Sequence, residues 1–256
     1  MADETTIRIV LAQLEPRETV TENVEVVSET IAGQPGSLVV FPELMLNGYD
    51  LSAVRRHALA VKGVELATIG AAAVAAGSSA IVGFAESDAG GVANSVAVFD
   101  KTEALTATYR KTHLFAGERG VFVPGAELHP VTVAGVQVGL MVCFDIEFPE
   151  VARTLTLRGA RLLVTVSANM EPYGEEHDVF VRARAIESRL PHVYVNRTGA
   201  QGGFDFVGGS QAVLADGSMI ARLGREEQIA AVELTLGGPT HESLDYLGQR
   251  RPGLYS

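Results

Sequence analysis

Cysteine is almost absent from this chain, whose 256 residues include one cysteine, Cys143, and no tryptophan. A single thiol excludes an internal disulfide framework, and reduced cysteine is typical of the cytoplasm, so we expect a cytoplasmic protein. Cys143 is then either a small buried apolar residue, as most lone cysteines are, or a reactive thiol.

Basic residues are scarce beside acidic ones, with 20 Lys and Arg against 31 Asp and Glu, and the net charge is -11. A chain of that charge repels nucleic-acid phosphates and anionic membranes, so we expect neither as a partner. The charge-free stretch 66–85 is rich in Ala and broken by Gly77-Ser78-Ser79, which favours a short helix and a buried strand over a membrane span. The start MADETTIRIV has no apolar signal core, so we expect no secretory signal.

Patterns that bind metals or nucleotides are also missing from the sequence. The six His residues have no HxH or HExxH spacing, and the glycines form no GxGxxG or Walker pattern. We therefore expect neither a metal ion nor an organic cofactor.

Strand-like and helix-like patterns alternate along the chain. Residues 6–14 and 37–41 are predicted to form buried strands, and apolar residues with helical spacing predict a helix over 20–31. Further strand-like runs follow, some paired as hairpins, without a repeat or a linker. This order favours a single α/β domain over residues 1–256, built as a sandwich with a mixed sheet.

Cys143 lies in GLMVCFDIEFPE, residues 139–150, between a predicted strand and a helix that begins near Pro149. A turn of this kind exposes a side chain and points free backbone N–H groups at whatever is attached to it. The location is compatible with a reactive thiol, but the pattern around Cys143 alone favours a small buried apolar residue.

Two other stretches place charged side chains just past predicted strands. FPELMLNGYD, residues 41–50, contains Glu43, and YRKTHLFAGERGVFVPG, residues 109–125, contains Lys111 with Glu118 seven residues later. Each charge by itself is compatible with a solvated surface position. Because α/β folds build their sites at strand ends, the three stretches together predict one site.

FPE…GY, YRK.HLF…E…F.PG and GL..CFD..FPE resemble the three catalytic signatures of the nitrilase superfamily, the carbon–nitrogen hydrolases. Residue types, order and spacing agree, and the resemblance extends to RRPGLY near the C-terminus. It implies a four-layer αββα sandwich. It also implies a homodimer of the αββα–αββα kind, or a higher homo-oligomer.

The resemblance further implies a Glu43, Lys111, Cys143 triad and a second glutamate, Glu118, that helps to position the substrate and Lys111. Glu43 can take the thiol proton and later activate water, while Lys111 and the backbone N–H of Phe144 can bind the developing oxyanion. The implied reaction is attack of Cys143 on an amide, loss of ammonia or an amine, and hydrolysis of the thioester.

The residues beside the cysteine distinguish branches of the family. True nitrilases generally carry Cys-Trp-Glu where this chain has Cys143-Phe144-Asp145, which favours amide over nitrile hydrolysis. Ile146 and Glu147 lack the Arg with which acid-recognising relatives clamp a carboxylate. We therefore predict a small, neutral or amine-bearing aliphatic amide as substrate, although Glu147 is also compatible with a solvated charge at a helix start.

Several contacts and functions stay open at this point. Tyr49 and Phe144 are candidate pocket walls or core residues, and Asn169 either binds substrate or caps a turn. His113, beside Lys111, is interpreted as structural support. The alternative functions are an N-carbamoyl (ureido) amide hydrolase, a glutaminase domain that feeds a synthetase, and an inactive binding or regulatory module of the same fold.

Overall fold

The computed structural model describes residues 5–102, 104–236 and 242–255. Residues 1–4, which belong to the stretch in which no secretory signal is expected, lie outside the described part. The described residues form four α-helices: α1 Val20–Ala32, α2 Val64–Ala76, α3 Pro149–Leu157 and α4 Gly174–Ser188. Short 3-10 turns lie at Val54–His57, Ala116–Gly120, Cys143–Glu147, Glu242–Leu244 and Pro252–Leu254. Within this part of the chain, no helix combines the length and apolar character needed to cross a bilayer.

The strands alternate with these helices along the chain. They are β1 Thr5–Gln13, β2 Leu38–Val40, β3 Ser79–Asp88, β4 Gly91–Phe99, β5 Leu105–Arg110, β6 Val131–Val133, β7 Val136–Val142, β8 Leu162–Ser167, β9 His192–Asn196, β10 Ala200–Gln201, β11 Phe204–Asp205, β12 Gln211–Val213, β13 Met219–Arg222 and β14 Gln228–Leu236.

Twelve of these strands form two mixed six-stranded sheets. The first sheet has the order β14-β1-β2-β3-β4-β5 and the second β13-β12-β9-β8-β7-β6, while β10 and β11 form a separate ribbon. The pairs β1/β2 and β2/β3 are parallel in the first sheet, as are β7/β8 and β8/β9 in the second. The carboxyl ends of the parallel strands in each sheet therefore lie at the same edge.

The sheets pack face to face, and a helix pair covers each outer face. Alternate residues of both sheets, such as Leu11 and Val142, form the apolar layer between them. Ile31 of α1 and Ile69 of α2 pack on the outer face of the first sheet, and α3 and α4 pack likewise on the second. The predicted four-layer αββα sandwich is confirmed, whereas pairing of two such chains stays a prediction.

The elements predicted from apolar patterning agree with the structure. The helix predicted over 20–31 is α1, which begins after a capping box formed by Thr19 and Glu22. The stretch 66–85 forms most of α2 and the start of β3, as predicted. The pattern missed the short strands β10, β11 and β13, whose residues are mostly exposed or half-buried and lack apolar alternation.

Gly83 in β3 determines how closely the segment after β2 can approach the sheet. A Cβ at this position would overlap the backbone of Pro42, Glu43 and Leu44. The absence of a side chain at Gly83 therefore lets the segment that carries Glu43 lie directly against β3.

Gly83→Ala is expected to lower the free energy of unfolding by about 1–3 kcal/mol, because backbone must move to make room for the methyl group. For a chain of this size that corresponds to a fall in Tm of roughly 2–12 °C, measured by thermal unfolding. Gly90→Ala is the matched control, since a Cβ there meets no atom within 4 Å. Equal Tm values for the two variants would show that the close approach at Gly83 does not constrain the fold.

Candidate active site

The centre of the site is the ammonium group of Lys111, the residue that follows β5. Its side chain is fully buried, and its Nζ donates to Glu43 Oε1 at 2.8 Å and to the carboxylate of Glu118 at 2.9 Å. The backbone N–H of Lys111 donates to the carbonyl of Asn94 in the neighbouring strand at 2.8 Å. One buried cation thus joins two buried carboxylates from separate segments of the chain.

Glu43 connects the two sheets. It lies three residues beyond β2, and its Oε1 also accepts a hydrogen bond from Asn94 Nδ2 at 2.6 Å. Its Oε2 accepts from the backbone N–H of Ala168, which follows β8 of the other sheet, at 2.8 Å. These bonds fix both carboxylate oxygens at the shared edge of the sandwich.

Glu118 is held in the 3-10 turn Ala116–Gly120 by two further donors. The hydroxyl of Tyr49 donates to its Oε1 at 2.8 Å, and the backbone N–H of Phe115 donates to its Oε2 at 2.8 Å. Tyr49 is therefore a hydrogen-bond donor to the lysine's partner as well as an aromatic wall.

Cys143 follows β7 and opens a 3-10 turn with a left-handed backbone, at φ 44°. The carboxylate of Asp145 holds this turn, since it accepts from the backbone N–H of Val142 at 3.0 Å and from the hydroxyl of Tyr109 at 2.8 Å. It also accepts from the backbone N–H of His113 at 2.9 Å. His113, whose ring lies 3.0 Å from the same carboxylate, thus has the predicted supporting role.

Burial and the fixed charges determine the protonation of the three groups. Burial raises the pKa of Glu43 above its usual value despite the opposing charge of Lys111. Burial alone would lower the pKa of Lys111, but the carboxylates of Glu118 and Glu43 raise it well above its usual value. Burial and then the charge of Glu43 raise the pKa of the Cys143 thiol. The cysteine is therefore a protonated thiol at neutral pH and needs a base when it reacts.

A narrow pocket opens onto Cys143. All four predicted substrate-binding residues line it, and the complete lining is Tyr49, Phe115, Cys143, Phe144, Glu147, Asn169, Met170, Tyr173 and His177. Its free volume is about 10 Å³, close to that of a single water position. The walls are mainly aromatic, so a short acyl group fits this space better than a bulky one.

Two of these residues have further contacts. Asn169 Nδ2 donates to the carbonyl of Tyr173 at 2.9 Å, so its amide supports the turn as well as facing the pocket. Glu147 is one-third exposed, and its Oε1 lies 3.5 Å from Nε2 of the buried His177. The pocket therefore contains a carboxylate paired with an imidazole.

The sequence patterns missed three polar residues of the site: Asn94, His177 and Tyr194. All three are buried, two lie within strands, and none belongs to a signature. Polar residues inside otherwise apolar runs, such as NSVAVF for β4, are the signal that could have indicated them. Within the described part of the chain, no group of His, Cys, Asp and Glu side chains is arranged to hold a metal ion.

The family model for carbon–nitrogen hydrolases matches residues 8–240. The chain therefore belongs to this family, and it is an enzyme that acts on carbon–nitrogen bonds. It is 39% identical over 226 residues to an (R)-stereoselective amidase of Pseudomonas sp, a match covering 87% of this chain and 82% of the relative. It is 27% identical to the 2-oxoglutaramate amidase of Paenarthrobacter nicotinovorans, over 98% of this chain and 90% of that protein.

Among solved structures, the chain is similar to a mutant of the amidase from Nesterenkonia sp. AN1. The TM-score is 0.86 at 27% identity, and the match covers 97% of this chain and 95% of that chain. In that structure the acetamide moiety of fluoroacetamide is covalently added at the active-site cysteine.

The protonation of Glu43 predicts the acid limb of the pH profile. A carboxylate accepts a proton only when it is ionised, and the pKa of Glu43 lies above the usual 4.5 because burial outweighs Lys111. We expect kcat/KM for an amide to fall as the pH decreases, with an apparent pKa above 4.5 that belongs to the coupled cluster. The measurement is kcat/KM from about pH 4 to pH 8, with thermal unfolding at each pH as control. A constant kcat/KM down to about pH 4.5 in folded protein would contradict the prediction that Glu43 acts as the base.

Proposed function

We propose that this chain hydrolyses a small aliphatic amide to a carboxylic acid and ammonia through a thioester on Cys143. The observation that carries the proposal is the fully buried Lys111, whose Nζ bonds Glu43 and Glu118 while the charges of Glu43 and Lys111 act on the thiol. The amidases among its relatives support an amide as substrate.

The first step is attack of the Cys143 sulfur on the amide carbon. Because the thiol is protonated, its proton passes to Glu43 as the carbon–sulfur bond forms, and the carbonyl electron pair moves to oxygen. The raised pKa of Glu43 brings its basicity closer to what this transfer needs. Lys111 Nζ and the backbone N–H of Phe144 stabilise the resulting oxyanion.

The second step releases the amine and then the acid. Glu43 gives the proton to the leaving nitrogen, ammonia departs, and a thioester remains on Cys143. A water molecule deprotonated by Glu43 attacks the thioester, and the acid leaves as the sulfur recovers its proton. Glu118 does not exchange a proton in this scheme, and its bond to Lys111 keeps the ammonium aimed at the oxyanion.

The pocket favours neutral or amine-bearing substrates. Glu147 places a carboxylate at the pocket wall, and the described residues that line the pocket include neither Arg nor Lys. A substrate carboxylate would therefore meet the like charge of Glu147 without an Arg guanidinium to bind it. The small free volume favours a short acyl chain.

Cys143→Ala is expected to abolish ammonia release from amides, and Lys111→Met to reduce kcat by about 10²- to 10³-fold through loss of an oxyanion donor. An ammonia-release screen over amides, ureido compounds and nitriles measures both. CO₂ release alongside ammonia would indicate the ureido alternative. Thermal unfolding verifies that Lys111→Met is folded, because this change leaves two buried carboxylates without their cation.

Activity that persists in Cys143→Ala would mean that the nucleophile is another group. Near-normal turnover by folded Lys111→Met would contradict the oxyanion role. Arg8→Met, at an exposed ion pair with Glu233, is the control for removing a cation without touching the site.

Butyramide is expected to have a kcat/KM at least about tenfold above that of its ω-carboxylate analogue, because the carboxylate of Glu147 repels the carboxylate of the analogue. Glu147→Gln should reduce this ratio by raising kcat/KM for the acid. The kcat/KM for butyramide should stay within about threefold of the wild-type value. A preference of the wild type for the acid would contradict the predicted selectivity and would instead match the specificity named for the 2-oxoglutaramate amidase relative.

A further inference from the structure

A line of buried polar side chains on the outer side of the second sheet leads from the substrate pocket back to the nucleophile. His177 Nδ1 lies 3.0 Å from the hydroxyl of Tyr194, and Tyr194 donates to Ser167 Oγ at 3.0 Å. At its pocket end, His177 Nε2 lies 3.5 Å from Glu147 Oε1. All but Glu147 are at least 97% buried, so water does not replace these contacts.

The parallel register of β7 and β8 brings this line to the thiol. Val142 pairs with Val166, so Cys143 and Ser167 are the next residues at the same edge of the sheet. Burial raises the pKa of the Cys143 thiol, and the neighbouring hydroxyl of Ser167 acts in the opposite direction. The hydroxyl of Ser167 is therefore a neighbour of the sulfur that favours its anionic form.

The number of protons available for donation determines which group is the donor in each hydrogen bond of this line. Tyr194 has one hydroxyl proton, which it donates to Ser167, so the contact with His177 requires Nδ1 to be the donor. Among the described hydrogen bonds, Ser167 donates its hydroxyl proton to no other group, so this proton is available to the sulfur. The other ring nitrogen of His177, Nε2, faces the carboxylate of Glu147 at 3.5 Å.

The groups around Tyr194 and Glu147 maintain this order of donors and acceptors. Burial and the negative charges of Glu43 and Asp178 raise the pKa of Tyr194 well above its usual value, against an opposing effect of Ser167, so its hydroxyl keeps its proton. Arg184 of α4 donates to the carbonyl of Glu147 at 3.0 Å, which fixes the backbone at the outer end of the line.

We infer that Ser167, Tyr194 and His177 are positioning residues that aim a hydrogen bond at the sulfur of Cys143 and link it to Glu147 in the substrate pocket. With Ser167 as donor, the sulfur's own proton is directed away from Ser167 and towards the base. As the carbon–sulfur bond breaks during deacylation, the same donor stabilises the departing thiolate. The inference rests on the proposed role of Cys143 as nucleophile.

Alkylation of Cys143 by iodoacetamide tests this inference through bond formation at the sulfur rather than through amide hydrolysis, and the chain has no other cysteine to react. Ser167→Ala is expected to slow alkylation at neutral pH by about tenfold and to move the midpoint of its pH dependence upward by about one unit. Tyr194→Phe should also slow alkylation and raise the pH midpoint, each by less than Ser167→Ala does. His177→Asn, whose amide can replace the Nδ1 donor, should remain nearer to wild type than His177→Gln.

Thr165→Val is the matched control. Thr165 lies on the same strand two residues before Ser167, is buried, and its hydroxyl also contacts an imidazole, His192 Nε2, at 2.8 Å. Cys143 in this variant should be alkylated at the wild-type rate and with the wild-type pH midpoint.

Wild-type alkylation in Ser167→Ala, or an equal loss in Thr165→Val, overturns the inference. So does a wild-type pH midpoint in both Tyr194→Phe and His177→Gln. A thiol that alkylates as expected in protein that hydrolyses no amide would instead refute the proposed function and leave the hydrogen-bonded line intact.

Discussion

The ammonium of Lys111 has been removed from water and depends on two carboxylates for its solvation. Transfer of an ion into a protein interior costs several kcal/mol, which only close, well-directed partners offset. Bonds of 2.8 Å to Glu43 and 2.9 Å to Glu118 meet that condition, and neither can lengthen without exposing a buried charge to apolar surroundings. The segments after β2 and β5 and the turn of Glu118 must therefore meet at one point.

The rest of the site is arranged to keep that meeting point rigid. Each carboxylate is held by a further donor from another segment, Ala168 for Glu43 and Tyr49 for Glu118. Leu44, Ala116 and Cys143 adopt left-handed backbones next to or within these segments, a strain of about 1–3 kcal/mol each that only a well-fixed environment maintains. The αββα layers supply this environment, because both sheets bury most of their facing sides.

Apolar alternation predicted the strands and helices on which the site stands, since a half-buried or buried element shows its period in the sequence. The three signatures predicted Glu43, Lys111, Glu118 and Cys143, because these residues follow strands at fixed spacings. Asn94 and Tyr194 could not be predicted in this way. Each is one polar residue in a buried strand, and its role depends on which strand the sheet brings beside it. That information lies in the register between strands rather than in a local pattern.

A thiol whose pKa is raised by burial differs chemically from the thiolates of electropositive sites. Its proton must leave during the attack itself, so the negative charge of the sulfur exists only for the duration of the step. In the proposed mechanism Glu43 receives the proton, and a donor beside the sulfur stabilises the transient negative charge. Ser167 is suited to this task because Tyr194 already occupies its lone pair and leaves its proton free. In the inferred arrangement the same line ends at Glu147 in the pocket, so the carboxylate that faces the substrate lies at the outer end of the line that positions the sulfur.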